Sequence, residues 1–578
     1  MEFLILIFFY LALYSISEKI NLLIFKKPNN ILVNIFIFSN FFLIIYLIFS
    51  YLFIINLQNT SAAYLIIISI ILYSFIFYQN IFNYFKKFNL KIFLNNRIVL
   101  IILILYFMLI LFPAYDEDTL RYHLAISKKI NNGTFYINTW IDYMIIGGHE
   151  FINAFSLRLK FEKISSFSNF IYLIFILLSN IHIKDKYKIG SGFNSIYLII
   201  ASPYLTSLLS SQKFFLFPCY IVTYSLAYLY LEKKNINFKI LLMLLFLNIF
   251  CVIIKFTFLP YLGILGLWSL YIIKSFKGRL IYIMCGIIFL SLCYLPIYII
   301  KYKIYGDPFL VLFSLNPENL NWFYEYRDLL SNIRMDYTDR VDNEVYKNFL
   351  IPIKLIMPLT ISDISKTLGL GLLFIFSINF KENKNLKYLI FLFIISVISL
   401  QTFQSRWFLP LLILVSIFAN VSKFPFLLNL LKVSLIPLIA IIAPLSVLTF
   451  LISFKVLDKK IILNDLLNSH HKFIYKINTN YKNVNIYSNI NDNYNLDNII
   501  PVYYPKFVVK FDKSYYERKK NKTKYVLWRK NGKVPADVFI QDYVKCENFE
   551  KIEEFEYNSR RIYFIKGLRI VTLYKLNC

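Results

Sequence analysis

The chain has 578 residues, 58% of them hydrophobic, and its mean hydropathy is +0.59. This combination of length and apolar content excludes a soluble fold for most of the chain. A formal net charge of +29 would favour nucleic-acid binding in a soluble protein. Here Lys and Arg lie in short connections between apolar runs, as in membrane proteins, so nucleic acid is not expected as a partner.

Apolar runs long enough to cross a membrane recur from the N-terminus to about residue 455. They predict an α-helical multi-pass membrane protein with about 11–14 spans. The first run begins at Glu2 without a basic segment or a cleavage site, which predicts a retained helix rather than a signal peptide. The rough centres of the candidate spans are residues 9, 44, 70, 105, 173, 200, 222, 246, 265, 290, 371, 396, 414 and 443.

Seven connections rich in Lys or Arg each follow an odd-numbered candidate span. They are residues 18–30, 85–97, 184–188, 232–239, 274–279, 381–387 and 423–432. The positive-inside bias predicts that all seven face the cytoplasm of a cell membrane. The other connections, and everything after residue 455, are then expected on the non-cytoplasmic side.

An acidic cluster follows the fourth candidate span. Asp116, Glu117 and Asp118 come shortly after Pro113, where a helix leaves the membrane. Acids also stabilise the first turn of a helix, which is the structural interpretation. Carboxylates are costly near hydrocarbon, however, and three together favour a general base or a metal-holding group that activates an acceptor hydroxyl.

Three cations lie on the same predicted face as the acids. Lys213 follows SPYLTSLLSSQ, Lys255 interrupts IFCVIIKFTFLPYL, and Arg406 begins RWFLP. Pro260 predicts a break in the helix close to Lys255. In the simpler interpretation, each long basic side chain only reaches for the membrane interface. Otherwise a cation in this position pairs with an anion, and a lipid phosphate is the expected one.

The sequence assigns no metal ligand and no cofactor. His123 and His149 lack a tight metal-binding spacing, so a divalent metal ion is left as an open alternative. The sequence has no phosphate-binding loop and no dinucleotide or GxSxG motif. Cys546 and Cys578 show no CxxC spacing, and the sequence does not decide whether they pair.

The composition changes at about residue 456, where the chain becomes polar. The segments NVNIYSNI, TKYVLW and RIVTLYKL predict strands. We therefore expect a membrane domain at 1–455, with large outer loops at 113–163 and 301–362. A small extracytoplasmic α/β or α+β domain is expected at 456–578.

The segment PAYDEDTLRYHLAISKKINNG, with IIKFTFLP, YGDPFL and RWFLP, resembles the C-type membrane glycosyltransferases. These include the protein mannosyltransferases and the lipid A aminoarabinose transferases. The resemblance covers about residues 100–420 and implies transfer of a sugar from a polyprenyl-phosphate-linked donor to a hydroxyl of a lipid, glycan or protein. It implies catalytic roles for Asp116, Glu117 and Asp118, and substrate binding by Arg121, Tyr122, His123, Lys213, Lys255 and Arg406.

Two other functions use similar parts. A polysaccharide polymerase or ligase would take a diphosphate-linked donor, and a large outer loop built around Arg would favour it. A lipid or sugar transporter or flippase would use the same charges along its substrate path, and such proteins often have internal repeats and broken helices. No internal repeat is evident in the sequence.

Overall fold

The computed structural model describes the residues in these ranges: 2–27, 30–55, 96–111, 119, 123–132, 146–159, 161–233, 236–305, 353, 355–357, 367–379, 384–399, 405–453, 471–481, 485–488, 499–501, 523–529, 536–544, 546–558 and 568–578. The chain divides into two compact units. The first unit comprises Met1–Ile110 and Gly147–Ser446, and the second comprises Leu111–Ile146 and Val447–Cys578.

Helices dominate the described residues up to residue 453. In chain order they are α1 (Glu2–Ile20, continued by a π-helical turn Asn21–Phe25), α2 (Ile31–Ile54), α3 (Arg97–Ile110), α4 (Leu124–Asn131), α5 (Gly148–Arg158), α6 (Ile164–Tyr187), α7 (Ile196–Ile200), α8 (Pro203–Leu209), α9 (Leu216–Leu231), α10 (Phe238–Ile254), α11 (Leu259–Ile272), α12 (Phe276–Tyr305), α13 (Lys384–Ser399), α14 (Ser405–Phe418) and α15 (Pro425–Ser453). A 3-10 helix, Leu370–Ser377, precedes α13. All predicted span centres fall in these elements except residue 70, which lies outside the described residues.

Several helices are able to span a membrane. Within the described part of the chain, five are long and apolar enough: Leu6–Phe25, Ile31–Ile54, Ile164–Tyr187, Phe276–Lys303 and Pro425–Ser453. The pair Gly192–Ile200 and Pro203–Leu209, which contains α7 and α8, would make a sixth span, but it is bent by 74°. The prediction of about 11–14 spans is therefore matched only in part, since the remaining apolar helices are shorter.

Helix α6 lies at the centre of the first unit. The best 18-residue window of α6 is 78% buried, whereas the corresponding window of α12 is only 22% buried. Polar side chains on α6 find partners on its neighbours, as groups shielded from water require. Asn180 donates to Ser195 Oγ at 3.0 Å and to Ser416 Oγ at 3.1 Å, and accepts from Tyr224 OH at 2.7 Å.

Three of the basic connections meet at one carboxylate. Glu232 follows α9, and Lys186 Nζ donates to its Oε1 at 2.6 Å. The hydroxyl of Tyr187 donates to the same oxygen, and Lys27 Nζ lies 3.5 Å from Oε2. The connections 18–30, 184–188 and 232–239, which the charge pattern assigns to one side, are thus held together by Glu232.

A proline in α12 accounts for hydrogen bonds between α2 and α12. Pro296 lies inside α12 and has no N–H, so the carbonyl of Leu292 loses its normal helical donor. Tyr51 OH, from α2, donates to Leu292 O at 2.8 Å. Tyr46 OH, one turn earlier on α2, donates to Cys293 O at 2.6 Å. Two tyrosines of α2 therefore bind the backbone that the proline disturbs.

The second unit contains a mixed five-stranded sheet. Its strands are β1 (Asn485–Ser488), β2 (Ile499–Pro501), β3 (Thr523–Arg529), β4 (Phe549–Asn558) and β5 (Leu568–Leu576). The order is β2-β1-β3-β5-β4, with β1 parallel to β2 and β3, and β5 antiparallel to β3 and β4. The three strands predicted from the sequence are β1, β3 and β5, which confirms a small sheet near the C-terminus.

Side chains on both faces of the sheet are buried. One cluster includes Val526, Trp528 and Phe539, and the other packs Phe473 of helix α16 (His471–Asn480) against Leu573. Cys546 and Cys578, whose pairing the sequence left open, form a disulfide that ties the end of the chain to the segment before β4.

Candidate functional site

The acidic cluster lies outside the described residues. Asp116, Glu117, Asp118, Arg121 and Tyr122 are therefore not placed by the structure, and their roles stay predictions.

His123 is described. It is buried at the start of α4 in the second unit, where Ser127 Oγ donates to its carbonyl at 2.6 Å.

Lys255 lies at a break between two helices. α10 ends at Ile254, Lys255 is extended (φ −156°, ψ 115°), and a 3-10 turn leads into α11, which has Pro260 in its first turn. The break predicted near the proline is confirmed. The N–H of Lys255 still donates to Cys251 O at 3.0 Å, so Lys255 is the residue at which α10 ends.

The ammonium of Lys255 lies against two aromatic rings. Its Nζ is 5.2 Å from the ring centroid of Phe215 and 5.1 Å from that of Trp407. These two rings meet edge to face, with centroids 6.0 Å apart. A cation over an aromatic face gains about 0.5–2 kcal/mol, more when water is excluded. The two rings therefore hold the ammonium of Lys255 in place.

Arg406 reaches the same indole from α14. Its Cζ is 4.8 Å from the Trp407 ring centroid. Because both cations lie near one ring, Lys255 Nζ and Arg406 Cζ are at most about 10 Å apart. Two of the three cations predicted from the sequence thus converge, and the residue that joins them, Trp407, was not assigned a role in binding.

Two nitrogen atoms in this cluster are unusual. The indole Nε1 of Trp407 and the Nε of Arg406 are buried, and neither has a hydrogen-bond partner among the described residues. Trp407 is only 6% exposed. A buried donor left without an acceptor costs about 1–3 kcal/mol, so the cluster is poised to receive an acceptor with negative charge.

The segment before α9 positions Phe215. Asn169 of α6 donates to Lys213 O at 2.7 Å and to Leu208 O at 3.3 Å. Its Oδ1 accepts from the N–H groups of Phe215 and Leu216, at 3.2 and 3.0 Å. One amide thus satisfies backbone groups of a non-helical segment that would otherwise be costly in an apolar surrounding.

Gln212 and Lys213 have different environments in that segment. Gln212 is fully buried, and its Nε2 donates to Ser166 Oγ at 2.8 Å. Lys213 is half-buried and is tied in through its backbone carbonyl. The hydrogen bond from Asn169 fixes the backbone of Lys213, two residues before Phe215. The cations that lie at the Trp407 ring are those of Lys255 and Arg406.

Helix α5 begins beside the end of α10. A Cβ on Gly147 would lie 2.7 Å from Ile254 O, so only glycine permits this approach. The first turn of α5 carries Glu150, which is fully buried. Its carboxylate accepts from Gly147 N–H at 2.8 Å and lies 2.7 Å from His149 Nε2. The sequence assigned no role to this carboxylate, and the motif GGHE was its only signal.

Chemically, the cluster of Lys255, Arg406, Trp407 and Phe215 is suited to an anion. It combines two cations, two buried N–H donors and an aromatic wall. It lies at the N-terminal end of α9, and the Glu232 cluster lies at the C-terminal end of this 16-residue helix. A helix of that length spans about 24 Å, so the cluster around Trp407 and the basic connections are well separated.

Comparison of the chain with protein-family models, with curated proteins and with solved structures finds no match.

Proposed function

We propose that this chain is an integral-membrane glycosyltransferase that moves a sugar from a polyprenyl-phosphate-linked donor to an acceptor hydroxyl. In this reaction a base takes the proton of the acceptor hydroxyl, and the acceptor oxygen attacks the anomeric carbon of the sugar. The bond from that carbon to the phosphate oxygen breaks, and its electron pair stays on the lipid phosphate. Cations near the phosphate lower the barrier, because negative charge grows there.

The observation that carries the proposal is the convergence of Lys255 and Arg406 on Trp407. Lys255 and Arg406 are far apart in the sequence, and each was predicted separately as a ligand of a lipid phosphate. Both lie about 5 Å from one indole ring. An anion bound there would meet the ammonium, the guanidinium and two buried donors.

The proposal places the reaction on the non-cytoplasmic side of a cell membrane, with about 11–14 spans and an extracytoplasmic C-terminal domain. The disulfide between Cys546 and Cys578 supports this side, since disulfides persist in oxidising compartments. The basic connections that meet at Glu232 support the opposite, cytoplasmic end.

Roles for the remaining residues follow from the resemblance. Asp116 is the proposed general base, with Glu117 or Asp118 assisting. Arg121, Tyr122, His123 and Lys213 are proposed to contact the substrates. A divalent metal ion stays an open alternative, because carboxylates serve either role.

The test is a transfer assay with the purified full chain and a panel of radiolabelled polyprenyl-phosphate sugars. We expect one donor to be consumed, and Lys255→Ala and Arg406→Ala each to weaken donor binding at least 10-fold. Arg406→Lys keeps the charge but loses the planar fork, so it should also weaken binding. Lys432→Ala is the matched control, because Lys432 Nζ also lies over an aromatic ring, 5.3 Å from the ring centroid of Tyr197. Unchanged donor affinity in both Lys255→Ala and Arg406→Ala would reject the proposal.

A transporter is the second candidate, favoured by one observation. The apolar helices α7 and α8 are bent by 74° at Ala201 and Ser202, and broken spans are common in transporters. The hydroxyl of Ser202 is buried at this break and has no partner within the described chain. In proteoliposomes, movement of the sugar across the membrane while the lipid-linked donor stays intact would favour the transporter.

A further inference from the structure

Two hydroxyl groups lie unpaired beside the cluster at Trp407. Thr257 is in the 3-10 turn that follows Lys255, and Tyr261 is in the first turn of α11. The Oγ1 atom of Thr257 and the OH of Tyr261 are buried, and neither has a hydrogen-bond partner among the residues that the structure describes. Tyr261 is only 2% exposed. Because an unpaired hydroxyl away from water costs free energy, these two groups indicate a polar ligand at this place.

The two hydroxyl-bearing side chains share one face of the helix. The 3-10 turn runs directly into α11, so Thr257 and Tyr261, four residues apart, are neighbours on its surface. Phe258, which lies between them in the sequence, reaches the cluster. Its ring centroid is 5.8 Å from that of Phe215 and 6.1 Å from that of Tyr261. The row of aromatic rings therefore continues from the Trp407 cluster to Tyr261.

A thiol connects the same two parts of the molecule. Cys219 is fully buried in the first turn of α9. It lies within electrostatic range of the ammonium of Lys255 and of the hydroxyl of Tyr261. The ammonium and the hydroxyl are therefore arranged around one side chain, and Tyr261 adjoins the cluster at Trp407.

The two kinds of polar group suit different parts of a glycosyl phosphate. Trp407 Nε1 and Arg406 Nε are N–H groups, which only donate, and the terminal oxygens of a phosphodiester only accept. The hydroxyls of Thr257 and Tyr261 both donate and accept, as the hydroxyl groups of a sugar do. In the proposed donor the anomeric carbon is bonded to a phosphate oxygen, so the subsite for the sugar must adjoin the phosphate site.

We propose that Thr257 and Tyr261 bind the transferred sugar of the donor and set its specificity. This inference rests on the proposed function and adds the part of the site that recognises the sugar. A sugar hydroxyl that donates to one of the two side chains and accepts from the other satisfies both groups. A site built to hydrogen-bond a substrate hydroxyl rejects an analogue that lacks it, because the buried groups of the site are then left unpaired.

The test compares ligands that differ only in the group esterified to the phosphate. The probes are the geranyl phosphodiesters of methanol and of glucose, galactose, mannose, N-acetylglucosamine and arabinose, with each sugar linked through its anomeric carbon. Calorimetric titration of the purified full chain in detergent at pH 7.5 should show at least one sugar ester binding about 10-fold or more tightly than the methyl ester. All of the probes carry one negative charge, so this difference measures the contribution of the sugar.

Tyr261→Phe and Thr257→Val each remove one hydroxyl and keep the shape of the side chain. Each should weaken binding of the preferred sugar ester about 10-fold, because a sugar hydroxyl is left unpaired, and should leave the affinity for the methyl ester within about 2-fold. Thr257→Ser keeps the hydroxyl and should retain most of the affinity. Tyr228→Phe is the matched control, because the OH of Tyr228 on α9 is also buried without a partner in the described part of the chain, but lies one turn from Glu232. That substitution should change neither affinity.

The possible outcomes separate this inference from the proposed function. Equal affinity for the methyl ester and for every sugar ester would overturn the inference and leave the phosphate site standing. A loss of affinity for the methyl ester as large as that for the sugar ester, in Tyr261→Phe and Thr257→Val, would show that the hydroxyls contact the phosphate and would also overturn it. A preference for one sugar that survives in both variants would remove the two residues from the sugar subsite. Binding of no probe would reject the proposed function as well.

Discussion

Substitution of Glu232 tests whether one carboxylate holds three connections together. Glu232→Gln keeps the shape of the side chain and removes its charge. The carboxylate is 7% exposed, while its partners Lys186 and Lys27 are 39% and 26% exposed. Breaking a fully buried ion pair costs about 3–5 kcal/mol and breaking a surface pair about 0–1 kcal/mol. This intermediate case, in which Gln still accepts from Tyr187, should cost about 2 kcal/mol.

The effect should depend on pH in a defined direction. Burial raises the pKa of Glu232, but this is outweighed by hydrogen bonds from Lys186 and Tyr187 and by the charges of Lys186 and Lys27, so the pKa lies below its usual value. A carboxyl group with a lowered pKa stabilises the fold fully above its unfolded pKa, about 4.3. The stabilisation is lost as the pH falls through the lowered pKa of the folded state. Wild type and Glu232→Gln should therefore differ most near pH 7 and converge below about pH 4.

The assay is thermal unfolding followed by intrinsic fluorescence, in one detergent, at pH 7 and at pH 4. We expect Glu232→Gln to lower the apparent Tm by about 2–4 °C at pH 7. Glu162→Gln is the control, because Glu162 lies 3.8 Å from Lys163 with both side chains partly exposed. It should change stability by less than about 0.5 kcal/mol. Equal shifts for the two variants, or a difference that grows at pH 4, would refute the reasoning.

Three further predictions concern other parts of the chain. Cys578→Ser should destabilise the C-terminal unit by up to about 4 kcal/mol, because it opens a disulfide-closed loop with a sequence separation of 32. Thermal unfolding of the variant and of the wild type would measure the loss, and thiol labelling before and after reduction would show that the wild type holds the disulfide. Tyr51→Phe should lower stability by about 1 kcal/mol because it leaves Leu292 O without a donor, and in a Pro296→Ala background the loss should disappear. Asp116→Asn should reduce transfer about 10²-fold or more while the protein still inserts and folds, and retained activity would move the proposed base elsewhere.

The sequence predicted the Lys255 break from local signals alone. A charge inside an apolar run, followed by a proline, disfavours a continuous helix, and α10 ends at Ile254. The sequence could not predict that Phe215 and Trp407 surround the ammonium. That contact depends on how α9, α10 and α14 pack, and hydropathy carries no information about which helices become neighbours.

Two polar residues that tie helices together were missed for the same reason. Asn169 lies in the apolar run of α6, and Glu232 lies among the lysines of the connection 232–239, so the average character of each segment hid the residue that organises the backbone or the basic connections. The bend between α7 and α8 was predicted as one span, although Pro203 stands at the first turn of α8 and marks the start of a new helix. The acidic cluster lies outside the described residues, so its role rests on the sequence.

The tyrosines that bind the proline-disturbed backbone also decide which way α12 faces. Much of that helix exposes apolar side chains, including Ile287 and Leu292, and a hydrocarbon surrounding would accept almost any rotation about its axis. Hydrogen bonds are directional, whereas contacts between aliphatic side chains are not. The hydroxyls of Tyr46 and Tyr51 therefore fix both the rotation and the depth of a helix that lipid alone would leave free to turn.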